Sequence, residues 1–381
     1  FHLNGSYYRY KHRVHLSAWV NTGIGQRLPP TNRAAAFDPV PGNTDTGFDP
    51  ISFNFRYANG TPGLLLGSSW FAHARVLDGL RRLGAGFAWD LPNGRTTAQA
   101  EALYFWRRDS TDLTYLIHPE EWELGTLNAS LNLSLRHRYQ RGGTDGNVLI
   151  EARNSAPGAA MGYGWLRLTA INANRKGRLE LRTRLVAQYG SGSTPRESQL
   201  YLAGGSPEDM MESKYMRSIG FTPFEWNGYG AGPTPLHFGG GLGLRGYAGY
   251  VAPETDADGR QVLTYRGATG IGASAELDLD GLARFSPGAV GRALHLDAYL
   301  FGDAGVMGYR RISGNGTVQE LAQPRADAGI GFALTIKRWG PLTDIKPLTL
   351  RFDMPLLLSA LPASDDDHLG FRYILAIGRS F

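Results

Sequence analysis

The residues best suited to chemistry in this chain lie in Gly239-Gly240-Gly241-Leu242-Gly243-Leu244-Arg245-Gly246-Tyr247, near the end of the longest segment without strand patterning. A guanidinium fork is built for planar, bidentate recognition of an anionic group. The glycines before it let the backbone fold back without steric cost. That is chemistry of binding rather than of bond making, and taken alone Arg245 reads as an arginine in a glycine-rich surface turn. No His-Glu-x-x-His, Gly-x-Ser-x-Gly or phosphate loop ending in Gly-Lys-Ser/Thr occurs. His2, His12, His15, His73, His118, His137 and His237 lack metal-ligand spacing, and an interfacial belt is the expected place for most of them. The acidic run Ser206-Pro207-Glu208-Asp209-Met210-Met211-Glu212 reads as outer loop, with nothing to support a metal there. No catalytic residue, cofactor or metal site is expected, and the chain is not read as an enzyme.

Alternating strands surround the glycine-rich stretch. From Tyr8 to Val20, Tyr8, Tyr10, Val14, Leu16, Ala18 and Val20 share one face, and Arg9, Lys11, Arg13, His15 and Ser17 the other. Thr126 to Tyr139 repeats the pattern, with Leu127, Ala129, Leu131, Leu133 and Leu135 opposite Asn128, Ser130, Asn132, Ser134, Arg136 and Arg138. Arg178 to Gln188 does so again. Such strands reach or exceed the roughly 9–11 residues that cross a bilayer at a tilt. Hairpin dipeptides separate them at Asn59-Gly60, Asp78-Gly79, Asn93-Gly94, Asp145-Gly146 and Asp280-Gly281. The alternation predicts sixteen strands, near 7–20, 50–58, 64–77, 80–91, 98–107, 112–118, 125–140, 146–153, 163–172, 178–189, 197–203, 263–279, 293–307, 324–337, 346–356 and 369–381. An even count puts both chain ends on one side, and the long connections 21–49 and 204–262 on the other, extracellular side.

Composition narrows the class. In 381 residues no apolar run of about 18 occurs, which excludes transmembrane helices. Glycine (51), tyrosine (18), phenylalanine (17) and tryptophan (8) suit strands, tight turns and aromatic belts. Cysteine is absent, which rules out disulfides and thiolate metal sites. The net charge of +5 is spread along strands rather than gathered in a basic helix or tail, so nucleic acid is not an expected partner. A soluble sandwich usually has strands of about 5–6 residues and a dry core that could not hold so many unpaired arginines. A water-filled lumen could. The polar face carries Arg9, Lys11, Arg13, Arg136, Arg138, Arg182 and Arg184, read as a solvated lumen wall balanced by acids, with anionic headgroups or polypeptide as the other possible partners. The expectation is an all-β fold, a transmembrane antiparallel β-barrel over residues 1–381, in the outer membrane of a Gram-negative cell. No signal peptide opens the chain, and Phe1 stands almost in a strand, so a processed or partial product is expected.

The chain ends on His368-Leu369-Gly370-Phe371-Arg372-Tyr373-Ile374-Leu375-Ala376-Ile377-Gly378-Arg379-Ser380-Phe381, with Phe371, Tyr373, Leu375, Ile377 and Phe381 expected on one face. It resembles the recognition signal of bacterial outer-membrane barrels, with Gly370, Tyr373, Leu375 and Phe381 in the signal's positions. Leu244-Arg245-Gly246-Tyr247 resembles the hydrophobic-Arg-Gly-aromatic tetrad on the sixth extracellular loop of the BamA-type superfamily, which includes BamA, TamA and the two-partner secretion transporters such as FhaC. By strand count it falls between strands eleven and twelve. Gly272 to Leu277, Phe301-Gly302-Asp303-Ala304-Gly305, and Arg325 to Phe332 followed by Gly340-Pro341-Leu342 and Arg351 to Leu356 resemble the family's later strands, in order. The resemblance covers about 239–381. Earlier residues support a barrel by pattern only.

The resemblance implies that Asp303, on strand thirteen, faces the lumen and receives Arg245, pinning the long loop across the pore. It implies a barrel that inserts or translocates polypeptide, with outer-membrane lipids, lipopolysaccharide, client polypeptides and accessory subunits as partners. The first strand would pair with the last, and incomplete pairing would leave an edge for a client strand. The family's POTRA modules are missing. Tyr201 to Pro207 through Tyr247 looks more like barrels appended to large peptidases, so an anchor or export barrel for an upstream peptidase or lipase domain is the alternative. A small-solute porin is a third reading, opposed by a loop in the lumen.

Overall fold

The computed structural model describes residues 2–9, 12–20, 51–60, 68–77, 80–107, 127–212, 226, 229–279, 293–313, 316–337 and 347–381; for 2–20 and 51–60 it describes backbone only. Ten strands follow one another as antiparallel neighbours: β1 (His2–Arg9), β2 (His12–Val20), β3 (Ile51–Gly60), β4 (Ser68–Leu77), β5 (Leu80–Asp90), β6 (Thr96–Arg107), β7 (Asn128–Arg141), β8 (Thr144–Ser155), β9 (Tyr163–Lys176) and β10 (Leu179–Gly192). The chain then leaves the wall through β11 (Leu200–Tyr201), helix α1 (Pro207–Glu212), β12 (Pro253–Thr255), β13 (Gln261–Leu263) and β14 (Arg266–Gly267). It rejoins with β15 (Thr269–Asp278) beside β10, then β16 (Leu294–Ser313), β18 (Arg325–Ile336), β19 (Leu348–Leu358) and β20 (Ile374–Ile377). β17 (Gly316–Leu321) extends the far end of β16, completing a sixteen-stranded sheet.

The wall is apolar outside and polar inside. Leu131, Leu133 and Leu166 are 53%, 61% and 56% exposed, whereas Arg153, Glu276, Asp303, Asp327, Arg351 and Asp353 are buried. Alternation with period two sends each set to its own face. Register aligns these faces across strands. Ala98, Leu135, Ile150, Leu168, Ala187, Ile271 and Val306 form one outer row, each paired with the next. Arg184, Ser274, Asp303 and Asp327 form an inner one. A soluble sheet turns its leucine face to a core; here, among the described residues, that face is exposed.

Three sequence expectations change. The stretch read as one strand over 7–20 is the β1–β2 hairpin, folded between Arg9 and His12. The strand read at 112–118 lies outside the described residues. The segment 197–203 is not a wall strand: Leu200, Tyr201 and Leu202 are consecutive and all buried, and β11 pairs with β14 off the wall. Among the described wall strands the tetrad therefore lies between the tenth and eleventh, and Asp303 on the twelfth. Finally, the last strand covers only Ile374–Ile377 rather than 369–381. Gly378 (φ 92°) turns the chain inward, so Phe381 leaves the face shared by Leu375 and Ile377 and ends beside Arg175 and Glu180. Among the described residues no ladder joins β1 to β20.

Candidate functional site

The segment between β10 and β15 runs inside the sheet. It contacts β6–β8 on one side and β15–β19 on the other, so the wall curls around it. Its two limbs are stitched together by Leu242 N–H to Tyr201 O (2.8 Å) and Leu244 N–H to Leu202 O (3.1 Å). An apolar cluster of Leu200, Leu202, Leu242, Leu244, Tyr247 and Tyr265 packs with Met307 and Leu358 from the wall. Gly241 holds φ 54°, and a Cβ there would stand 2.1 Å from Gly204 O, so only glycine fits. The wall arginine Arg184 closes this turn, donating to Gly241 O (2.6 Å) and Leu242 O (3.2 Å).

Arg245 is fully buried at the inner wall. Its Nε and Nη2 donate to Asp303 Oδ2 (2.7 Å) and Oδ1 (3.0 Å), a bidentate pair, and Nη1 donates to Glu276 Oε1 at 2.8 Å. Asp353 Oδ2 lies 3.8 Å from Nη1, and the guanidinium stacks 4.0 Å from the Phe301 ring centroid. The next residue continues the contact: Gly246 N–H donates to Asp327 Oδ2 at 3.0 Å. A Cβ on Gly246 would meet Leu358 Cδ2 at 2.4 Å, which explains the small residue. Buried Tyr247 donates its hydroxyl to Ala360 O at 3.0 Å, and Leu244 is buried in the apolar cluster. Leu244, Arg245, Gly246, Tyr247 and Asp303 thus come together in one place, gripping four adjacent strands.

Side-chain room for this contact comes from the wall glycines. On β18 a Cβ at Gly331 would stand 2.2 Å from the Tyr299 ring, and one at Gly329 would stand 2.9 Å from Phe301. Tyr299 in turn donates to Asp353, which Arg351 Nε also reaches at 2.9 Å. Buried charges at this density are tolerable only when nearly every one has an opposite partner.

A second anchor, absent from the sequence reading, holds the other end of the segment. Arg153 on β8 donates to both Glu208 carboxylate oxygens of α1 at 2.5 Å, and Ser198 donates to Glu208 at 3.0 Å. Burial pushes the Glu208 carboxyl up, but Arg153 beside it prevails and holds it below the usual carboxylate range. Arg107 donates to Glu197, which also accepts from Asn128 at 2.8 Å. The run 206–212, expected in an outer loop, is therefore docked on the inner wall. Beside it a polar cavity of about 510 Å³ is lined by Arg75, Arg82, Arg136, Arg138, Glu151 and Arg153, among others.

The remaining candidates separate. In the basic stripe Arg182 pairs with Glu180 (2.7 Å), Arg136 and Arg138 are exposed, and Arg184 serves the loop; the side chains of Arg9, Lys11 and Arg13 lie outside the described residues. His237 and His73 are buried against Arg351 (2.7 Å) and Glu101 (2.5 Å), not in a belt. At the C-terminus Gly370 N–H donates to Leu356 O (2.9 Å), Tyr373 stacks on Phe352, and Leu375 pairs with Phe352 across β19–β20. Arg379 turns inward to Asp278 at 2.8 Å. Glu276, Asp327 and Asp353 were missed as partners of the tetrad, although each lies in a wall motif, and alternation with an inner neighbour could have found them.

No protein-family model matches the sequence, and no curated protein matches it. Among solved structures, CdiB from Acinetobacter baumannii is similar over 97% of this chain and 47% of its own, with a TM-score of 0.43 and 10% identity. CdiB from Escherichia coli is similar over 98% and 61%, with a TM-score of 0.47 and 13% identity. A bacterial polysaccharide outer membrane secretin is similar over 86% and 88%, with a TM-score of 0.30 and 12% identity. This chain thus spans 47% and 61% of the length of the two CdiB chains.

Proposed function

We propose that the chain is the barrel of a Gram-negative outer-membrane protein of the BamA-like kind, which inserts or translocates polypeptide and is embedded in outer-membrane lipid and lipopolysaccharide. The observation that carries the reading is the buried contact of Arg245 with Asp303 and Glu276, a loop fixed through the inside of a wall whose outer face is leucine. The outward apolar rows need a hydrocarbon solvent, since exposing them to water would be costly. A segment anchored on both sides of the interior narrows any path for small solutes, which disfavours a porin. The last strand bears few pairing residues and is the natural place for a polypeptide to add. Residues 1–381 are read as one barrel domain; an upstream peptidase or lipase with this barrel as its anchor is the competing arrangement, and intact mass distinguishes it.

The test is site-specific photocrosslinking in vesicles, with the crosslinker at Ile377 on β20 or, as control, at Ile150 on β8; both residues are exposed. The probe is a small outer-membrane barrel unfolded in urea. Adducts at 377 and not at 150 are expected. Equal labelling at both positions, or none, would refute polypeptide handling at this edge.

A further inference from the structure

We propose that Pro235–His237 acts as a stand-in strand, capping the edge of β20 that faces away from β19, and that an incoming extended polypeptide docks there by displacing it. This rests on the polypeptide-handling reading above. In an antiparallel sheet a residue's N–H and C=O point to the same neighbour, and successive residues alternate sides. β20 pairs with β19 on one side. On the other, Leu375 N–H donates to Pro235 O (2.5 Å) and His237 N–H donates to Leu375 O (2.9 Å). Leu236 and Leu375 form an isolated parallel bridge.

That geometry marks a substitute rather than a wall strand. Every ladder in the main sheet is antiparallel, and this contact is parallel and a single bridge long. Two backbone hydrogen bonds hold it, both at Leu375, whereas an antiparallel partner could pair along all four residues of β20. A longer antiparallel partner therefore outcompetes the cap, because each added pair brings further hydrogen bonds for little additional ordering. The cap still protects the edge meanwhile, which is what an exposed strand edge requires.

The cap is also wired to the Arg245 contact. Thr234 N–H donates to Ala248 O at 2.7 Å, just past the tetrad, and Gly230 exchanges bonds with Gly249 and Val251 at 2.9 and 3.0 Å. Arg351 Nη2 donates to His237 Nδ1 at 2.7 Å while its Nε meets Asp353, which lies 3.8 Å from Arg245. Lifting the segment off Leu375 thus pulls on the groups that hold the loop, a contiguous physical route between edge and anchor.

The test uses the full chain in lipid vesicles. The protein has no cysteine, so Leu236→Cys with Leu375→Cys reports on this contact alone when treated with a short thiosulfonate crosslinker. The docking probe is a peptide copying His2–Arg9 with a terminal benzophenone. The crosslink is expected to form in the resting protein, to abolish peptide labelling of β20, and to release it on reduction. His237→Pro, which removes the N–H given to Leu375, should raise labelling about fivefold, the effect of one net hydrogen bond. Absence of the crosslink, or equal peptide labelling of the crosslinked and reduced proteins, would overturn the proposal. If these results stand while unmodified protein handles no polypeptide, the functional reading fails and the cap remains.

Discussion

Replacing Arg245 with alanine removes three charge-assisted hydrogen bonds and a ring stack, all in a fully buried place. It leaves Asp303, Glu276 and Asp353 facing one another without that cation. Breaking a buried pair by deleting one partner costs about 3–5 kcal/mol. At about 1.4 kcal/mol per decade, the docked state of the loop loses roughly two to three and a half decades of its population ratio. The strand ladders do not pass through Arg245, so the wall stays folded. The reporter is Ala248→Cys, a buried position in a chain otherwise without cysteine. Its maleimide labelling should accelerate by about a hundredfold or more in Arg245→Ala, within the range just given. Arg245→Lys should restore less than half of the difference in free energy, because one ammonium cannot serve Asp303 bidentately and Glu276 together. Heat-modifiable migration should be unchanged. Labelling that does not respond to Arg245→Ala, or full protection by lysine, would refute the reasoning.

Glu208→Gln strands the Arg153 charge and should release α1 at a cost of about 3–5 kcal/mol, seen as protease cleavage within 206–212 while the barrel persists; resistance equal to wild type would speak against this second anchor. Leu133→Arg, on the outer face, should cost about 2–4 kcal/mol in urea-dependent folding into phospholipid vesicles if it lies near the bilayer midplane. Ser134→Arg, one residue on and inward, should cost clearly less, and equal costs would contradict a lipid-facing wall. Burial, then Arg351, Arg245 and Arg184, hold the His237 imidazole well below its ordinary value of 6.5, with Asp353 the nearest acid on β19. The folded state resists a proton that the unfolded segment accepts, so cap stability is complete above about pH 6.5 and falls as pH drops below it. Normalised to labelling of an exposed single cysteine at the same pH, which corrects for the thiolate fraction, crosslinking of the 236–375 cysteine pair should decline from pH 7.5 to 5. A flat normalised profile would count against His237 as the cause.

The wall was legible because an apolar outer face and a polar inner face impose a period of two on the strands. Leu131, Leu133 and Leu135 alternating with Asn132 and Ser134 is readable without any long-range information. The tetrad was read through a family resemblance, since taken alone Arg245 looked like a surface turn; Gly246 is small because Leu358 and Asp327 leave no space. The break of 7–20 into β1 and β2 was not, since Tyr10-Lys11 carries no glycine, proline or asparagine and the alternation runs straight through it. Arg107 and Glu197 are 90 residues apart, and nothing local pairs them. The acidic run of α1 looked solvent-exposed because its partner Arg153 stands 55 residues earlier in the chain, and nothing local pairs them. Gly378 stopped the last strand early; as one glycine in an alternating segment it left the apolar pattern intact.

The most direct measurement of the central claim is the rate at which a urea-unfolded small outer-membrane barrel inserts into lipid vesicles carrying this chain. Insertion faster than into empty vesicles is predicted, with the gain lost in the Arg245→Ala protein despite its folded wall. Equal rates in empty and loaded vesicles would contradict the account.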